Sequence, residues 1–92
     1  LLNNGTYGTI RMHQEREYPA RVSGSDLNNP DFCALARAYG YAAEQITHTA
    51  EFEPALLRAL AAPGGTVIEV MLSEEVITTR GTLSAIRDKA RA

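Results

Sequence analysis

"TVIEVML", residues 66–72, is the stretch that decides the fold. It is a near-continuous apolar run that follows the helix-stopping Pro63-Gly64-Gly65, and such a run reads as a strand covered on both faces of a sheet. A strand of that kind requires helices on both sides. Upstream, Phe52, Leu56, Ala59 and Leu60 fall on one face of a helix over 51–61, with Pro54 tolerated because it stands near the helix start. A weakly patterned strand is expected over 42–47.

"NPDFCALARAYG", residues 29–40, predicts an amphipathic helix. Asn29 can cap it, Pro30 suits its first position, and Phe32, Leu35, Ala36 and Tyr39 follow helical spacing before Gly40 stops it. A shorter helix is expected over 9–17, closed by Tyr18-Pro19, and "RVSGSDLNN" (21–29) has loop composition. After a connector, Thr82 can cap a last helix over Leu83–Arg91, with Leu83, Ile86 and Ala90 on one side. At the other end, Leu1-Leu2 reads as the close of a strand running into a turn. Strands alternating with helices predict an α/β fold built on a partial, doubly wound parallel sheet with flanking helices. Only three strands are available, so 1–92 reads as half of an α/β domain.

Ninety-two residues make one domain at most, since domains commonly run to roughly 100 to 150 residues. Apolar residues at 45% and charged residues at 22% exclude a disordered chain. Eleven acidic against nine scattered basic side chains argue against nucleic acid as a partner. No apolar run reaches membrane-spanning length and no signal-peptide pattern is present, so the reading is cytoplasmic with no membrane partner. The lone cysteine, Cys33, lies in a helical pattern and reads as a small core residue.

"NNGTYG", residues 3–8, stands where ligands bind in open α/β sheets, just beyond a strand's carboxyl end. Alone it is simply a turn. Chemically, an Asn side-chain oxygen and a carbonyl two residues later can face one Mg²⁺, while Gly5 and Gly8 let the backbone approach a phosphate. His48 and Glu74-Glu75 read as solvated surface. Arg11, Glu15, Arg16 and Glu17 read as an exposed helical face.

Taken together, "LLNNGTYGTIRMHQEREYP", "NPDFCALARAYG", a helix and "TVIEVML" resemble the C-terminal part of the thiamine-diphosphate-dependent enzymes of the acetolactate synthase, pyruvate oxidase and benzoylformate decarboxylase group. The double Asn is similar to the second half of that group's cofactor motif. The resemblance implies thiamine diphosphate and Mg²⁺ as cofactors and 2-keto acids as substrates, turned over by decarboxylation or by acetolactate synthase-like carboligation. It implies Asn4 (side chain) and Thr6 (carbonyl) as Mg²⁺ ligands, and Gly5, Thr6 and Tyr7 along the diphosphate. Asn3 is left to hold the turn. Ile10 and His13 occupy the places where acetolactate synthases carry a valine and a tryptophan facing the substrate pocket, and the missing tryptophan counts against strict acetolactate synthase specificity. No catalytic residue is assigned to this stretch.

The family's Gly-Asp-Gly half motif does not occur here, nor does its activating glutamate. The expectation is therefore an inactive piece whose partners are the remainder of a parent chain and, through exposed sheet edges and helix faces, further copies in a homo-oligomer. The competing reading is a free-standing, non-catalytic α/β binding or interaction module.

Overall fold

The computed structural model describes residues 1–92, which divide into two compact units. The first unit comprises 1–3 and 29–71, the second 4–28 and 72–92.

In the first unit, strands β1 (Leu2–Asn3), β2 (Ala42–Ile46) and β3 (Thr66–Met71) form a parallel sheet in the order β1-β3-β2. The apolar run that predicts a covered strand is the central one. β3 aligns Val70 with Leu2 and Met71 with Asn3 on one edge, and runs from Thr66 opposite Ala42 to Val70 opposite Ile46 on the other. Helices α2 (Phe32–Ala38) and α3 (Phe52–Ala61) pack against β2 and β3, and a 3₁₀ turn over Thr49–Glu51 leads into α3. The expected partial parallel α/β sheet is thus present.

Three details of these helices differ from expectation. Asn29 does not cap α2; the Asp31 carboxylate accepts the Ala34 N–H at 2.9 Å, and Pro30 falls outside the helix. α2 buries Cys33 and Ala36, both expected inside, but the large Leu35 and Tyr39 of the expected stripe stay exposed. In α3 the deepest residue is Ala55, while Phe52, Leu56 and Leu60 face outward. Small side chains let both helices sit close to the sheet. Burial pushes the Cys33 thiol up, as suits an inert core residue. Gly40, with φ of +83°, closes α2 in the left-handed region as its sequence position predicts.

The second unit holds α1 (Gly8–Glu17), a short antiparallel hairpin of β4 (Val76–Thr78) and β5 (Gly81–Thr82), and α4 (Leu83–Arg91). The hairpin replaces what the sequence suggested was only a connector. Thr82 does cap α4, its hydroxyl accepting the Ala85 N–H at 3.2 Å. Leu83 is buried beneath that cap.

Glu15 is not part of an exposed helical face. Only 1% of it is exposed, and its carboxylate lies 2.8 Å from the Arg87 guanidinium while accepting the Ala20 N–H at 2.9 Å. That second bond steadies Ala20 at φ of +59°, a conformation uncommon for a residue with a Cβ. The Arg87 guanidinium holds the Glu15 carboxyl below the usual carboxylate range; burial opposes this, and the Ala20 N–H adds to it. Arg11 is also largely covered, pairing with Asp26 and lying 3.8 Å from Glu74.

Removing Arg87 leaves a buried carboxylate without its cation. Arg87→Ala is expected to lower unfolding free energy by about 2 to 3 kcal/mol at neutral pH, measured by urea titration. Because the folded-state value of Glu15 is depressed, its contribution is present above the ordinary carboxylate range and disappears as pH falls through the depressed value. The native-minus-variant difference should therefore shrink on acidification, and a difference constant down to strongly acid pH would contradict the pairing.

Candidate cofactor turn

On leaving β1 the chain makes a compact turn. The Asn4 side-chain oxygen accepts the Thr6 N–H at 3.2 Å, closing a loop in which Gly5 takes φ of +70°. Thr6 then pairs with Asp26 in an isolated antiparallel bridge. The flanking groups make the bridge bonds: Leu27 N–H donates to the Gly5 carbonyl at 2.9 Å, and Tyr7 N–H donates to the Ser25 carbonyl at 2.8 Å. The Thr6 hydroxyl also donates to the Ser25 carbonyl, at 2.6 Å, and its residue is buried. The Thr6 carbonyl is thereby left outside the ladder, as is usual for the non-hydrogen-bonded partner of such a pair.

Helix α1 starts directly after this turn. Tyr7 stands at its N-cap, yet no side chain bonds the first-turn N–H groups and no acidic residue lies in that turn. A ten-residue helix with an open N-terminus presents N–H donors and the positive end of its dipole, which suits an anion.

Gly8 lets Asn4 come near the start of that helix. A Cβ on Gly8 would lie 2.6 Å from Ile77 Cδ1 and 2.9 Å from Asn4 Nδ2.

The proposed pocket residues lie further along α1. Ile10 is half exposed, and His13 is exposed with its Nδ1 against the Arg16 guanidinium. Asn3, expected to hold the turn, is also tied into the sheet. Its side chain donates to Glu69 Oε2 at 2.9 Å and accepts from Asn29 Nδ2 at 3.0 Å. Glu75 is not simply a solvated charge either: it accepts the Ser84 N–H at 3.0 Å and the Ser84 hydroxyl at 2.9 Å, and the Ser84 N–H heads the causes that hold its carboxyl below the usual range. Sequence reasoning passed over Glu69, although a lone carboxylate in an apolar strand is a signal in itself.

No three His, Cys, Asp or Glu side chains group to hold a metal ion. The oxygens that the turn itself offers are the Asn4 amide and the Thr6 carbonyl, both neutral. They fit Mg²⁺ as two of its six ligands, the remainder coming from phosphates, water and other protein groups.

Residues 1–70 match the family described as thiamine pyrophosphate enzyme, C-terminal TPP binding domain. The chain belongs to this family. It is 41% identical to benzoylformate decarboxylase of Pseudomonas aeruginosa over 70 residues, covering 76% of this chain and 13% of that protein. It is 40% identical to the acetolactate synthase large subunit of Parasynechococcus marenigrum over 72 residues, 76% of this chain and 12% of that protein. With the acetolactate synthase isozyme 3 large subunit of Escherichia coli it shares 42% over 60 residues, 64% of this chain and 10% of that protein. The chain thus spans about an eighth or less of the length of these relatives.

Gly8→Ala separates site from fold. Alanine favours a helix by about 1 kcal/mol over glycine, and both clashing atoms end flexible side chains, so thermal stability is expected to change little. The Asn4 side chain must nevertheless move. A shifted Asn4 side-chain amide resonance with a near-native melting temperature is the expected result; an unmoved Asn4 signal would contradict the geometry.

Proposed function

We propose that this chain forms the diphosphate end of a thiamine diphosphate and Mg²⁺ site in an enzyme acting on 2-keto acids. The observation that carries this reading is the open N-terminus of α1, placed immediately after the Asn4–Thr6 turn. Asn4 holds Mg²⁺ through its side-chain oxygen and Thr6 through its carbonyl. Gly5, Thr6 and Tyr7 run along the diphosphate, and the first-turn N–H groups of α1 donate to it. When bound, the cofactor supplies the thiazolium that stabilises the carbanion formed on 2-keto acid cleavage.

The chain's own residues bind and orient. Thr6, buried and bonded to Ser25, keeps the carbonyl in place. Ile10 and His13 lie along α1 toward the substrate in this reading. The names of the relatives support both decarboxylation and carboligation, and products formed from pyruvate and from an aromatic 2-keto acid separate the two. A homo-oligomer is part of the same proposal, supported by the exposed Phe52, Leu57 and Leu60 of α3.

With two neutral oxygens and no carboxylate of its own at the turn, the chain alone is expected to bind weakly. Titrating ¹⁵N-labelled chain with thiamine diphosphate and Mg²⁺ should shift the backbone amides of 5–10, saturating at about millimolar concentration. Unphosphorylated thiamine should leave them in place. Identical shifts with both compounds, or none at these amides, would overturn the reading, and micromolar binding would contradict the need for ligands from beyond the turn.

A further inference from the structure

We infer that Glu69 is a positioning residue for the cofactor turn, fixing Asn3, the residue from which the chain enters it; this rests on the reading of the turn just given. Glu69 sits in the central strand and is 3% exposed. No cation lies within ion-pair distance of it. Its carboxylate instead accepts one amide N–H from each neighbouring strand: Gln45 Nε2 on β2 at 2.8 Å and Asn3 Nδ2 on β1 at 2.9 Å. Gln45 stands directly opposite in the ladder, whereas Asn3, paired with Met71, is the diagonal neighbour on the same face. One side chain therefore ties all three strands together near their carboxyl ends.

The Asn3 amide is fixed at both ends. Its nitrogen donates to Glu69 and its oxygen accepts from Asn29, so rotating the amide by half a turn would break both bonds. β1 has only two residues, and Asn3 is the last of them before Asn4. A ladder that short fixes a strand end poorly, and the side-chain tie holds Asn3 in place on the sheet.

The choice of residue points the same way. A carboxyl group buried without a cation costs desolvation, which a leucine in an apolar strand would avoid. What glutamate offers in return is two acceptor oxygens for two donors. Stability alone would favour leucine.

The test compares Glu69→Leu and Glu69→Gln with the native chain, reading three quantities: melting temperature, thiamine diphosphate–Mg²⁺ affinity from the amide titration, and hydrogen exchange at the Thr6 and Tyr7 amides without ligand. Glu69→Leu is expected to keep or raise the melting temperature, speed exchange at both amides, and weaken binding by about tenfold. Glu69→Gln should stay within about twofold of native, because the exposed Gln45 can turn its own oxygen toward the new amide and leave the Asn3 bond intact. Native exchange and affinity in folded Glu69→Leu would overturn the inference, as would equal losses in both variants. Should Glu69→Leu not fold, Asn3→Ala removes the same tie and is expected to show the same tenfold loss and faster exchange; native behaviour there would overturn it equally. If the native chain binds nothing while exchange still rises in Glu69→Leu, the functional reading fails and the positioning role stands.

Discussion

Every hydrogen bond of the parallel sheet runs to β3, since β1 and β2 pair with it and not with each other. That constraint explains its composition. As the central strand, with α2 and α3 packed against it, it is written in valine and isoleucine. Its one charge is then a deliberate exception. Glu69 accepts amide protons from both flanking strands, and the shortest strand is the one that most needs such a tie.

The turn depends on a different economy of groups. Its backbone bonds are supplied by the 25–27 segment, which takes the Tyr7 N–H and donates to the Gly5 carbonyl. With the walls of the turn satisfied from that side, the groups left over are the Thr6 carbonyl and the first N–H groups of α1. These have opposite polarity: one suits a cation, the others an anion. A metal diphosphate combines both charges in one ligand, which is why the arrangement agrees with the chain's membership of a thiamine pyrophosphate-binding family.

Much of the fold was legible from the sequence because its signals are local. The apolar run at 66–71, the Gly40 stop and the Thr82 cap each act over a few residues, and the structure has them where the sequence puts them. The β4–β5 hairpin was not legible, being too short to show alternation. In α2 the expected Cys33 and Ala36 are buried but Leu35 and Tyr39 are not, and in α3 close packing selected Ala55 over its larger neighbours. Glu15 was misread and Glu69 passed over for one shared reason: their partners come from distant parts of the chain, and a charged residue looks solvated until its partner is seen. Of the site, the Asn4–Thr6 turn was readable from residue type, while the tie behind Asn3 was not.

The central claim is that the Asn4–Thr6 turn and the α1 N-terminus receive a metal diphosphate. A crystal structure of the chain soaked in thiamine diphosphate and Mg²⁺ tests it most directly. The account predicts phosphate oxygens on the N–H groups at the start of α1 and the metal on the Asn4 side-chain oxygen and the Thr6 carbonyl. Phosphate density elsewhere on the chain, with this turn left bare, would contradict it.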